Sequence, residues 1–297
     1  MKRIILTLTL ATLTSAVSAQ FNLANYGLSS TVSYGSLPFN DELSGVTYNW
    51  DNGRLYAVED EAEAVYEFDK NGTYLSVMTI TGGANTDTEG VTYIGGGQFL
   101  MAEERAQNIY RFTYTAGGSL ARAGLPTFNV GLATNNTGLE GISYDPISGN
   151  VFGLKEKTPQ LVYTVSGLDL PSMTGGSVAA FVPNLGTLDL SDVQVLATVP
   201  SLVGTGDQNN LLVLSQESNR LLEVDLAGNI LSQLDLGTSG LALGSTSIEG
   251  VTIDENGTIY LVSEDPKMFI LNVPEPSTAA LIALGGALLA FRRRVQA

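Results

Sequence analysis

Glu89-Gly90-Val91-Thr92-Tyr93, a turn at Gly95-Gly96-Gly97, then Gln98-Phe99-Leu100-Met101-Ala102-Glu103-Glu104 is the stretch that decides the fold. Side chains of alternating character on both sides of a glycine turn mark a β-hairpin rather than a helix. The unit returns as Leu43-Ser44-Gly45-Val46-Thr47-Tyr48 with Arg54 to Asp60, as Glu140-Gly141-Ile142-Ser143-Tyr144 with Asn150 to Glu156, and as Glu249-Gly250-Val251-Thr252-Ile253 with Thr258 to Glu264. A degenerate copy, Ser191-Asp192-Val193-Gln194-Val195 followed by Asn210 to Glu217, has aspartate where the others have glycine. The repeat positions 45, 90, 141, 192 and 250 are spaced by 45, 51, 51 and 58 residues. That period belongs to a four-stranded propeller blade.

Two further strands follow each hairpin. In the first unit, 64–69 pairs with 73–80 across Lys70-Asn71-Gly72; in the fourth, 220–225 pairs with 229–236 across Ala227-Gly228. Asn-Gly is a strong hairpin signal. The fifth unit has strands to about Leu271 and then meets Val273-Pro274 with its outermost strand missing, and 21–34 precedes the first unit without a unit of its own. This segment is predicted to supply the missing strand and close the ring, which removes an aggregation-prone sheet edge. The stretch 167–188, rich in Gly, Ser and Pro, reads as a surface excursion. The expected fold is an all-β, five-bladed β-propeller over 20–272, closed by an N-terminal strand, with one short C-terminal transmembrane helix.

Composition narrows the chemistry. The 297 residues carry 30 acids against 14 lysines and arginines, a net charge of −16. Five of the basic residues, Lys2, Arg3, Arg292, Arg293 and Arg294, sit at the two ends, so the body between them is very acidic. Such a surface repels phosphate backbones, which argues against nucleic acid as a partner, and attracts divalent cations. There is no cysteine and no histidine. Disulfides, thiol nucleophiles, Ser-His-Asp catalysis and the usual zinc sites are excluded, and any metal must be held by oxygen, which favours calcium or magnesium.

Both ends read as export signals. Lys2 and Arg3 precede an apolar run over 4–13, and Val17-Ser18-Ala19 offers the small residues that signal peptidase reads. Cleavage is expected between Ala19 and Gln20, making 1–19 a signal peptide. At the other end, 273–297 begins Val273-Pro274-Glu275-Pro276-Ser277-Thr278, continues with the apolar stretch 279–291 and finishes on Arg292, Arg293 and Arg294. As a helix that stretch spans about 20 Å, short of a hydrocarbon core of roughly 30 Å. The arginines place the tail end in the cytoplasm and the body outside the inner membrane.

Pro274-Glu275-Pro276, a short apolar helix and an arginine cluster resemble the PEP-CTERM sorting signal. The resemblance implies processing by an exosortase in a Gram-negative bacterium, from a precursor anchored transiently in the inner membrane to a mature form at the cell surface or in the extracellular matrix. The body, through Glu42 to Tyr48, Leu139 to Pro146, Leu214 to Asp225 and Glu249-Gly250-Val251, resembles the SdiA-regulated family, which is related to NHL-repeat propellers. That likeness implies a five-bladed propeller with a calcium site.

In a propeller the start of each blade's first strand lies beside the end of its second. Ser44, Glu89, Glu140, Ser191 and Glu249 should therefore form one ring, and Asp60, Glu104, Glu156, Gln216 and Glu264 another on the same face. Crowded carboxylates repel unless a cation joins them. Glu89, Glu140 and Glu249 are the leading candidates for a calcium ligand set, with Asp60, Glu104, Glu156 and Glu264 in support. Two functions stay open on these residues: a calcium-binding scaffold for a polysaccharide or surface protein, or a calcium-dependent lactonase-, esterase- or phytase-like hydrolase, with no catalytic residue assigned.

Overall fold

A computed structural model describes residues 20–35, 42–59, 63–82, 87–131, 133–134, 136–244 and 247–274. The expected signal peptide with its Ala19 boundary, Asp60, Glu275, Pro276 and the expected helix at 279–291 lie outside them. Among the described residues no helix is long and apolar enough to cross a membrane.

The chain folds as five sheets in a ring, each built on four antiparallel strands. The first blade contains β2 (Leu43–Asn49), β3 (Arg54–Glu59), β4 (Ala64–Phe68) and β5 (Tyr74–Thr81). The second contains β6 (Thr88–Gly95), β7 (Gln98–Glu103), β8 (Asn108–Thr113) and β10 (Thr127–Asn129). The third contains β11 (Leu139–Tyr144), β12 (Val151–Lys155), β13 (Leu161–Ser166) and β14 (Ser177–Phe181), and the fourth β15 (Asp192–Val195), β16 (Leu211–Ser215), β17 (Arg220–Val224) and β18 (Ile230–Asp235). The fifth blade joins β19 (Ile248–Ile253), β20 (Ile259–Ser263) and β21 (Lys267–Asn272) to β1 (Gly27–Ser33). β1 runs antiparallel to β21, from Gly27 opposite Asn272 to Ser33 opposite Lys267. The ring is thus closed by the N-terminal strand, as the one-strand deficit of the fifth unit requires.

Two strands depart from the sequence reading. β14 lies inside the stretch read as a surface excursion and is the outer strand of the third blade. Its residues are almost all exposed, so no buried face imposes an alternating pattern. β9 (Ser119–Ala121), in the connection between β8 and β10, leaves its own blade and adds in parallel to β5 as a fifth strand of the first blade. Three residues, with Leu120 the one sizeable apolar side chain, carry no local signal for such a crossing.

The core is five apolar seams rather than one centre. Leu43, Tyr48, Tyr66 and Phe68 of the first blade pack on Tyr260 and Met268 of the fifth. Tyr56 and Val65 meet Tyr93, Phe99 and Phe112 between the first and second blades. Similar clusters join the second blade to the third, the third to the fourth and the fourth to the fifth. A blade alone buries neither face, so its stability comes from its neighbours.

The repeat glycines set how closely the inner strands approach. A Cβ on Gly45 would lie 2.4 Å from the Glu89 carbonyl oxygen, and one on Gly90 2.5 Å from that of Glu140. A Cβ on Gly141 would lie 2.4 Å from Asp192 Cα, and one on Gly250 2.8 Å from the Ser44 carbonyl oxygen. At these four seams the inner strands are in main-chain contact, which only glycine allows.

Candidate carboxylate site at the channel mouth

β-Bulges aim the first ring of side chains. The pairing of β2 with β3 slips at Ser44, that of β6 with β7 at Glu89, that of β11 with β12 across Glu140 and Gly141, and that of β19 with β20 at Glu249. A bulged residue leaves the ladder and re-aims its side chain. The second ring is held by its own backbone. The Glu104 N–H donates to the Asp87 carbonyl (2.9 Å), the Glu156 N–H to that of Gly138 (3.0 Å) and the Glu264 N–H to that of Ser247 (3.0 Å). Each acceptor stands two residues before the bulged position.

These two devices bring carboxylates together across the seam between the second and third blades. Oxygens of Asp87, Glu89 and Glu104 lie within 4.8 Å of one another, and so do oxygens of Glu104, Glu140 and Glu156. Glu104 belongs to both groups. It is almost wholly buried, at 1% exposure. One of its oxygens accepts from the Gly138 N–H at 2.8 Å, while the other is buried with no hydrogen-bond partner. Glu249 and Glu264 stand at the mouth end of the fifth blade and join neither group among the described residues.

Burial and mutual repulsion shape the electrostatics. Glu104 is pushed up to about 7, first by burial, with the neighbouring charge of Asp87 acting in the same direction. Glu140 is raised well above the usual carboxylate range by burial, then by the charges of Glu89, Glu104 and Glu156. Cations answer from the rim: Arg105 pairs with Asp87 at 2.6 Å and Lys157 with Glu156 at 2.5 Å. Lys155, buried nearby, donates to the Thr137 carbonyl at 2.7 Å, and burial lowers its pKa despite the surrounding glutamates.

The residues fit a hard divalent cation. Calcium takes oxygen ligands at ~2.3–2.6 Å, so two of its ligands stand at most about 5 Å apart. The two groups meet that limit, share Glu104 and leave a buried carboxylate oxygen without a donor. Asp87, Glu89 and Glu104, or Glu104, Glu140 and Glu156, would hold the ion, whose charge would counter the burial and repulsion that raise Glu140.

The fourth blade differs. Asp189 corresponds to Asp87 in its blade, but its carboxylate accepts from the Glu217 N–H (3.1 Å) and the Ser215 hydroxyl and is satisfied within the blade. Asp192, in the glycine position, is fully buried. Its two oxygens accept from the N–H groups of Val193 and Val251, both at 2.8 Å, linking the fourth blade to the fifth. Burial raises its pKa well above the usual range. Asp192 is a structural tie across the gap that glycine contacts close elsewhere.

A second ring escaped the sequence reading. Thr47 accepts from the Tyr93 N–H, Thr92 from that of Tyr144, and Ser143 from that of Val195, each at 3.0 Å and each from the next blade. Thr252 accepts from the Tyr48 N–H and donates to Gln194 Oε1, both at 3.0 Å. The polar residue two places after the repeat glycine is therefore a latch between blades, with Gln194 filling the place in the degenerate unit.

The fold and its mouth define a closed five-bladed propeller with an acidic, oxygen-only site. The model of the SdiA-regulated family matches residues 25–271, and the chain belongs to that family. The PEP-CTERM protein-sorting motif matches residues 272–294 and implies export and processing by an exosortase in a Gram-negative bacterium. Among solved structures, the chain is similar to the glutaminyl cyclase of Myxococcus xanthus, with a TM-score of 0.56, 12% identity, and 83% of this chain and 95% of that one covered. It is also similar to a streptogramin B lyase, with a TM-score of 0.51, 12% identity, and 82% and 97% covered. The WD40 β-propeller domain of Doa1 has a TM-score of 0.50, 14% identity, and 84% and 98% covered. At these identities the likeness is one of fold.

Proposed function

We propose that this protein is an exported calcium-binding propeller scaffold whose mouth carboxylates hold one ion between the second and third blades, and which binds a polysaccharide or protein partner outside the cell. The observation that carries this reading is Glu104: a buried carboxylate shared by two carboxylate groups, with one oxygen lacking any donor. Crowding of this kind is costly in a folded protein unless a cation or protons relieve it. Export supports calcium, because the PEP-CTERM motif takes the body out of the cytoplasm. Main-chain contact along the axis at the repeat glycines favours a scaffold over a hydrolase, which needs a substrate-sized pocket above its metal. Equilibrium dialysis against calcium tests the reading: one ion per wild-type chain and none in Glu104→Gln is expected, and no saturable binding by wild type refutes it.

A further inference from the structure

We infer that the membrane-anchored precursor holds the hairpin-turn end of its fifth blade against the lipid surface and turns its carboxylate mouth away from it. This rests on the reading of the apolar tail as an anchor. β19 runs from the mouth to the turn at Asp254–Gly257, β20 returns, and β21 runs outward again, so Asn272 ends at the end opposite the carboxylates. Asn272 is still paired with Gly27, and Pro274 lies against Gly27, where an added Cβ would be 3.8 Å from its Cγ. Beside this exit the Tyr26 hydroxyl donates to the Gly257 carbonyl at 2.8 Å, tying the segment before β1 to the turn. The path of the chain is therefore fixed to the body as far as the first proline of the sorting motif.

Only 274–278 separate that point from the apolar stretch starting at Ala279. Five extended residues reach about 17 Å. The headgroup layer takes about 5–7 Å of this, which leaves roughly 10 Å of slack. The blade is about 20 Å deep along strands of six residues. For the mouth to face the membrane, the tether would have to climb the whole depth of the blade, and it is too short. The lipid surface is met instead by the rim around Tyr26, Asn256, Gly257 and Pro274. Any partner of the carboxylate mouth must approach from the side away from the membrane while the tail is uncut.

The absence of cysteine allows a direct test. Asn256→Cys and Asp265→Cys place exposed labels at opposite ends of the fifth blade. The full chain, tail included, is labelled with a fluorophore and reconstituted into phosphatidylcholine vesicles containing lipid spin-labelled at the headgroup. The label at position 256 should be quenched severalfold more strongly than that at 265. A flexible Gly/Ser insert of about 20 residues after Val273, with a mean reach of about 25 Å, should abolish the difference. Flotation with the vesicles but equal quenching without the insert, or stronger quenching at 265, would overturn the orientation alone. Failure to float would overturn the anchor and the orientation with it.

Discussion

Glu104, at the end of the second blade's second strand, and Glu140, in a bulge of the third blade's first strand, bring carboxylate oxygens within 4.8 Å of each other across a blade seam. Each is put there by backbone. Glu104 is tethered through its N–H to Asp87, and Glu140 is re-aimed by the break in pairing between Leu139 and Ile142.

Without metal, stability should fall as pH rises. Glu104 has an ordinary value of 4.5 and a folded value of about 7, so the folded state binds its proton more tightly. Its contribution is fully present below about pH 4.5 and is lost as pH rises through about 7. Glu140 acts in the same direction. Urea midpoints measured in chelator between pH 5 and pH 8 should decline, and the decline should shrink in Glu104→Gln.

Gly90→Ala should weaken the ring severely. The new Cβ would stand 2.5 Å from the Glu140 carbonyl oxygen and 2.9 Å from the Ile142 nitrogen, both backbone atoms that cannot swing aside. A loss of about 3 kcal/mol or more is expected by chemical denaturation, as for other severely overpacked sites. Gly206→Ala is the control, since nothing lies within 4 Å of its Cβ position and its φ is not left-handed.

Thr92→Val should cost about 1–3 kcal/mol, because it leaves the Tyr144 N–H without its acceptor inside the seam. Thr252→Val should cost more, since that hydroxyl both accepts from the Tyr48 N–H and donates to Gln194. Urea titration of the two variants side by side gives the order.

Deletion of 20–33 should open the ring. β21 would keep β20 but lose its outer partner along its whole length and expose an edge. The truncated chain should aggregate or self-associate in light scattering under conditions where the intact body is monodisperse.

Much of this was legible in the chain, for physical reasons. The glycines at 45, 90, 141 and 250 recur because neighbouring inner strands touch there, and such a contact writes itself into sequence at every blade. The closing strand was legible because a four-stranded unit had only three strands left. Other features depend on neighbours distant in sequence. Asp87 lies just before its repeat and joins Glu89 and Glu104 only after the blade folds. Asp192 reads as a lost glycine, whereas its carboxylate reaches the Val251 N–H in the next blade. Thr47, Thr92 and Ser143 are visible as polar positions, but each finds its donor about fifty residues away. β14 and β9 are too exposed or too short to carry a pattern.

The most direct test of the calcium site is a thermal melt of chelator-stripped protein with and without calcium, for wild type and Glu140→Gln. At a hundredfold excess over Kd, calcium should add about 2.7 kcal/mol to the wild type, a rise of roughly 5–10 °C for a domain of this size. The Glu140→Gln protein should be at least as stable as wild type without metal at neutral pH, because a buried carboxylate among like charges is gone, and should gain little from calcium. No calcium shift in wild type, or an equal shift in Glu140→Gln, would contradict the account.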